Sequence, residues 1–197
     1  MGARDGANGE RAQSLGILEF VSKKFQGSLC RGLFYLEGMS DTKIRKGEKR
    51  DLPWVLELVK ELAEFEKALD QVSNTVELME EDGFGKNPIY GFFIAEKGDK
   101  IVGLALYYYR YSTWRGKRLY LEDIIVTQSE RGKGLGKMLF ERTMKFALEQ
   151  NCTGMMWQVL DWNKPAIDFY KKYDTKFDAE WINGHLEAAQ IGSFFNK

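Results

Sequence analysis

Cysteine and histidine are scarce. Two cysteines, Cys30 and Cys152, and one histidine, His185, stand in 197 residues, too few for a disulfide framework or a Cys/His zinc site. The expectation is a reducing, cytoplasmic setting and no metal. Charge of one sign is also lacking: 29 basic residues balance 29 acidic ones. Without a basic excess to concentrate on one surface, neither nucleic acid nor an anionic membrane is an expected partner. No apolar run approaches the ~18 residues of a membrane span. The N-terminal LGILEFV is short and broken by Glu19, so it reads as neither anchor nor signal core.

Glycine is present but unevenly spread. Seven of the 20 fall in the first 38 residues, where no helical or strand period is visible. Residues 1–38 therefore read as an unstructured extension, and 39–197 as one domain. A mitochondrial presequence is the alternative, opposed by Asp5, Glu10 and Glu19.

Beyond the extension the hydrophobic period changes twice. After a short strand near Ile44, Val55, Leu58, Val59, Leu62 and Phe65 recur at helical spacing behind Pro53. Residues 76–82 make a second, shorter helix, ended by the turn-rich DGFGKNP. The period then becomes two. IYGFFIAEKGDKIVGLALYYYRY reads as two strands around a KGDK hairpin, and RLYLEDIIV as a third. Gly134 to Glu149 returns to helical spacing, MMWQVL reads as a buried strand, and PAIDFYKKY as a short helix with Pro165 in its first turn. A meander followed by strand, helix, strand and helix predicts an α+β fold. Its sheet is mixed and mostly antiparallel, with helices on both faces.

Between the third meander strand and the long helix lies Arg131-Gly132-Lys133-Gly134-Leu135-Gly136. Glycines let backbone N–H groups turn inward toward a phosphate, a helix start adds its positive dipole end, and Arg131 and Lys133 add charge. A plain flexible turn is the competing reading. A P-loop fails, because Met138 stands where Ser or Thr is required, and G-x-G-x-G is not the dinucleotide G-x-G-x-x-G. A phosphate-bearing ligand other than NAD or a hydrolysed nucleotide is indicated.

This loop after IIV, the element order, and Asn163-Lys164-Pro165-Ala166 ahead of Phe169-Tyr170 resemble the GCN5-related N-acetyltransferases. ELAEFE, EEDGFG, YYYRYSTWRGKRLYLED and WNKPAIDFYKK are similar, in order, to the diamine (spermidine/spermine) acetyltransferase branch. The resemblance implies the GNAT fold, acetyl-CoA as cosubstrate, a small-molecule amine as acceptor and a homodimer. Residues Arg131 to Gly136, together with Ile125, Val126, Asn163 and Tyr170, would hold acetyl-CoA. Glu66, Trp114, Tyr120, Glu122 and Asp123 would receive the amine, with Glu122 as general base and Tyr170 as proton donor to the leaving thiolate.

Each assignment has a plainer competitor: Tyr170 as core packing, Asn163 as an N-cap, Trp114 as a sheet or subunit face. Along a regular strand Glu122 and Asp123 point to opposite faces, so both reach one cleft only across a bulge, which the superfamily has here. Cys152 is far along the chain from His185, which disfavours a covalent thiol mechanism and leaves direct attack of the amine. One departure concerns the substrate. Ser112 stands where the mammalian polyamine enzymes carry an aspartate, and Tyr173-Asp174 replaces arginine or leucine plus glycine. A diamine or polyamine thus competes with an amino acid carrying a side-chain amine, such as thialysine. A non-catalytic acyl-CoA-binding module is the alternative of a different class.

Overall fold

Four successive strands build the sheet, and the second and third each carry a run of four consecutive buried residues. In the computed structural model, which describes residues 41–195, β1 (Thr42–Lys46), β2 (Gly91–Lys97), β3 (Lys100–Ser112) and β4 (Gly116–Val126) form an antiparallel meander. β5 (Met155–Met156) then joins β4 in parallel. The extension expected over residues 1–38, with Cys30, lies outside the described residues. Helices α1 (Leu52–Phe65) and α2 (Val76–Phe84) connect β1 to β2, and α3 (Leu135–Glu149) carries the crossover from β4 to β5. The described chain divides after Trp157 into two units. The second contains α4 (Lys164–Lys171) and α5 (Ala188–Phe195).

In the first unit the strand period of two sends neighbouring side chains to opposite faces. Phe92, Ile94, Leu104 and Ile125 form one core with Leu52, Val55, Leu56 and Leu58 of α1 and Met79 of α2. Phe93 and Tyr107 face the other way, their rings 5.5 and 4.8 Å from that of Phe146 on α3. Helices therefore cover both faces, as expected. Gly103 lets α3 come close: a Cβ there would lie 2.9 Å from Leu139 Cδ1. The β1–α1 junction is tied by Arg45, which donates to both carboxylate oxygens of buried Asp51 at 2.7 and 2.8 Å.

The strand expected over MMWQVL is only Met155–Met156. Trp157 instead meets Phe140 of α3 edge-on, with centroids 5.2 Å apart. A short apolar run has the same periodicity whether its side chains face a sheet partner or a helix, so the pattern could not separate the two. Helix α5 was not anticipated either. Among the described residues no helix is long and apolar enough to cross a membrane.

Candidate active site

The glycine loop forms as a turn into α3. Gly132 and Gly134 have φ of +76° and +85°, a region costly for residues with a Cβ. A Cβ at either would meet nothing within 4 Å, so conformation requires glycine here and the space beside the loop is open. Helix α3 starts at Leu135 with no side-chain cap on its first turn. Uncapped amides beside open glycines suit a pyrophosphate.

The two cations of the loop are already engaged. Arg131 Nε donates to the Val126 carbonyl at 2.8 Å and its Nη2 lies 3.4 Å from Glu61. Lys133 donates to the Ser129 carbonyl at 3.0 Å and pairs with Glu130 at 3.1 Å. Backbone N–H groups, rather than free side-chain charge, are what the loop presents to an anion.

Glu61 was invisible to the sequence reading. Its carboxylate also accepts from the Gln128 amide and the Thr127 hydroxyl, both at 2.8 Å. It stands one helical turn before Phe65, whose ring lies 5.6 Å below the Arg131 guanidinium. The last turns of α1 therefore brace the segment leading into the glycine loop. The available signal was that i, i+4 spacing of an acid and an aromatic at a helix end, which alone names no partner.

The second group of residues depends on a break in register. Tyr107 pairs with Leu121, Leu106 pairs with Asp123, and Glu122 is the additional residue, which is a β-bulge. Leu121 shares the α3 face with Tyr107, so Glu122 turns to the α1 face. Asp123 shares that same face with Leu106, which packs on the α1 core. The two consecutive acids thus lie on one side of the sheet.

Burial, then the charges of Glu122 and Glu66, push the Asp123 carboxyl up to about 6. Glu66 at the C-terminal end of α1 and Glu122 both retain exposed surface, yet partial loss of hydration raises each above the ordinary carboxylate range. None of the three pairs with a basic side chain among the described residues. An anionic cluster without a counter-ion favours a cation.

Tyr120 lies next to this cluster, buried, its ring 5.0 Å from Tyr108. Trp114 does not. It sits in the β3–β4 turn, 87% exposed, separated from Glu122 by about 25 Å of extended chain. Ser112 ends β3 at the edge of that turn, paired with Gly116. Ile125 and Val126 are buried at the end of β4.

In the second unit, Asn163 caps α4 by accepting from the Ala166 amide at 3.2 Å, which is the plain role weighed for it. Tyr170 is buried, and burial pushes its hydroxyl up to about 12. Cys152 is a free thiol raised above its ordinary value mainly by burial, the opposite of an activated nucleophile.

Comparison with known proteins identifies the assembly. Residues 56–174 match the model of the acetyltransferase (GNAT) family. The chain belongs to this family. Thialysine N-epsilon-acetyltransferase of Bos taurus is 41% identical over 141 residues, covering 68% of this chain and 83% of that one. Spermidine/spermine N(1)-acetyltransferase-like protein 1 of Homo sapiens is 40% identical over 135 residues, 65% of this chain and 19% of that protein. A solved aminoglycoside N-acetyltransferase in complex with CoA has the same fold. Its TM-score is 0.59 at 18% identity, covering 75% of this chain and 95% of that one. The protein is thus an N-acetyltransferase with the GNAT fold.

Proposed function

We propose that this acetyltransferase acetylates the primary amine of a small, compact cation by direct attack on acetyl-CoA. The carrying observation is the bulge, which gathers Glu122 and Asp123 with Glu66 on one sheet face. Acetyl-CoA supplies the acyl carbon and a thiolate leaving group. An alkylamine with a pKa of ~10.4 arrives protonated at neutral pH and must lose a proton before it can attack. Glu122 takes that proton, directly or through water, and its raised pKa makes it a better base than an ordinary carboxylate. Asp123 and Glu66 hold the cationic form in place.

Glycine-loop amides and the start of α3 bind the pyrophosphate, with Ile125 and Val126 lining the approach from β4. Tyr170 is assigned by its position in the F-Y-K segment. With its hydroxyl at about 12, it stays protonated at neutral pH but is a weaker acid than a thiol of ~8.5. Its contribution is therefore a hydrogen bond donated to the developing thiolate rather than complete proton transfer.

One relative is named for acetylating the side-chain amine of thialysine, and another is named for its likeness to a spermidine/spermine acetyltransferase, which supports this reading. Gathering of Glu122, Asp123 and Glu66 at the bulge and the end of α1, with Ser112 and Trp114 remote in the β3–β4 turn region, favours a compact amine over a long polycation. The test is release of free CoA thiol with a panel of amines at low and high salt. Cationic primary amines should be preferred, with KM rising as salt screens the cluster. Equal turnover of neutral and cationic amines, independent of salt, would overturn the proposed amine site.

A further inference from the structure

We propose that Arg110 selects an amino acid bearing a side-chain amine, by receiving the substrate's α-carboxylate while the amine lies at the bulge acids. The inference rests on the amine site described above and adds its second pole. Arg110 pairs with Arg118 across the β3–β4 ladder, two residues beyond Tyr108. It therefore shares the face of Tyr108, Tyr120, Glu122 and Asp123. Its guanidinium stands 5.9 Å from the centroid of the Tyr120 ring, and that ring is 5.0 Å from Tyr108. Along this face the order is carboxylates, a pair of aromatic rings, then a guanidinium.

The two tyrosines register both poles. Burial raises both hydroxyls, Glu122 raises them further, and Arg110 lowers them. Arg110 itself is exposed and has no carboxylate partner among the described residues; its Nη1 donates to the Met156 sulfur at 3.5 Å. This distinguishes it from Arg131 and Arg45, whose guanidinium groups are committed to Glu61 and to Asp51 and Glu96. A planar guanidinium resting over an aromatic ring, with donors unspent on acids, is suited to a bidentate carboxylate.

The spacing also fits. The guanidinium leans over Tyr120, two residues from Glu122, and two residues of strand span about 7 Å. A side chain of lysine length separates its terminal amine from its α-carboxylate by a comparable distance. A diamine of the same length would instead bring a second ammonium against the guanidinium, which is repulsive. Arg110 thus separates two substrate classes that the acid cluster alone would accept equally.

The experiment compares thialysine, its carboxamide and its decarboxylated diamine as substrates of the full chain. The enzymes are the wild type, Arg110→Gln and Arg110→Lys. Wild type should prefer thialysine over both analogues by roughly tenfold in kcat/KM, the scale of one charge-assisted hydrogen bond. In Arg110→Gln the thialysine KM should rise by about that factor, while the diamine KM holds or falls. Acetyl-CoA affinity by calorimetry should be unchanged, and Arg110→Lys should restore part of the preference. A wild type indifferent to the carboxylate would overturn the assignment. So would an Arg110→Gln variant that keeps the preference, or one that loses all three substrates equally. Failure of the amine site itself gives a different signature, equal use of neutral and cationic amines by the wild type.

Discussion

Ionisation of Asp123 opposes folding, and its removal should be visible as a gain in stability. An ordinary aspartate titrates near 3.8, whereas burial and then Glu122 and Glu66 raise this one to about 6. The folded state therefore holds the proton more tightly than the unfolded chain between these values. Stability contributed by the neutral form is complete at low pH and is lost as pH rises from about 4 to about 6, beyond which the loss is constant. At about 1.4 kcal/mol per pH unit the loss is about 3 kcal/mol.

Asp123→Asn removes this titration. The variant carries a fixed offset from its amide, which does not depend on pH, so the informative quantity is the difference between variant and wild type as pH changes. That difference should shift in the variant's favour by about 2.4 kcal/mol between pH 4 and 7, the rest of the loss lying below pH 4. For a chain of this size the change is roughly 5–10 °C in Tm. Relief of Glu122 and Glu66 from a neighbouring charge acts in the same direction. Thermal melts of both proteins from pH 4 to 8, without substrates, measure it. A difference that stays flat, or moves against the variant as pH rises, would refute the reasoning. The same substitution should raise the amine KM, because the charge that weakens the fold is the one that holds the cation.

Three other residues can be tested separately. Gly134→Val forces a β-branched residue to a φ of +85° and fills the open space beside the loop; a folded variant with wild-type acetyl-CoA affinity would remove the loop from the binding site. Glu61→Ala should weaken acetyl-CoA about tenfold with the amine KM unchanged, through loss of charge-assisted bonds to the loop entry. Equal effects on both substrates would make Glu61 a general stabiliser instead. Tyr170→Phe should lower kcat by about 10² with acetyl-CoA binding retained, and wild-type turnover would return Tyr170 to core packing.

Elements with a long, clean period were legible without coordinates. The α1 stripe Val55, Leu58, Val59 and Leu62, the KGDK hairpin with Gly98 at φ +56°, and the long α3 helix all formed where the pattern placed them. The glycine loop was legible because positive φ needs glycine and few other arrangements need it twice in three residues. Short elements were not. Met155–Met156 pairs while the apolar residues after it do not, since two strand residues carry too little period to be told from a helix contact. Partners brought together from distant segments were equally hidden. Nothing near Glu61 in sequence identifies Gln128 or Arg131.

The bulge shows why the amine site resisted a reading from periodicity. Tyr120 and Ile125 both face α1 although five positions apart, an odd spacing that regular alternation forbids and one extra residue permits. Such a parity break is readable only where the residues after it are apolar on one face and polar on the other. Here Ile124 and Ile125 are both apolar, facing Ala105 and Leu104 in turn, so either register satisfies the pattern and sequence alone leaves the phase open. The consequence extends past Glu122 itself. Were the same residues paired regularly, with no bulge, Asp123 and Ile125 would turn toward α3, leaving Glu122 without its neighbour and the α1 core without Ile125. The same bulge therefore completes the core and gathers the charge. Deleting Glu122 would leave Asp123 opposite Leu106 and Ile125 opposite Leu104, removing the bulge and one carboxylate but not the core, whereas Glu122→Gln keeps the bulge as well and isolates the chemistry.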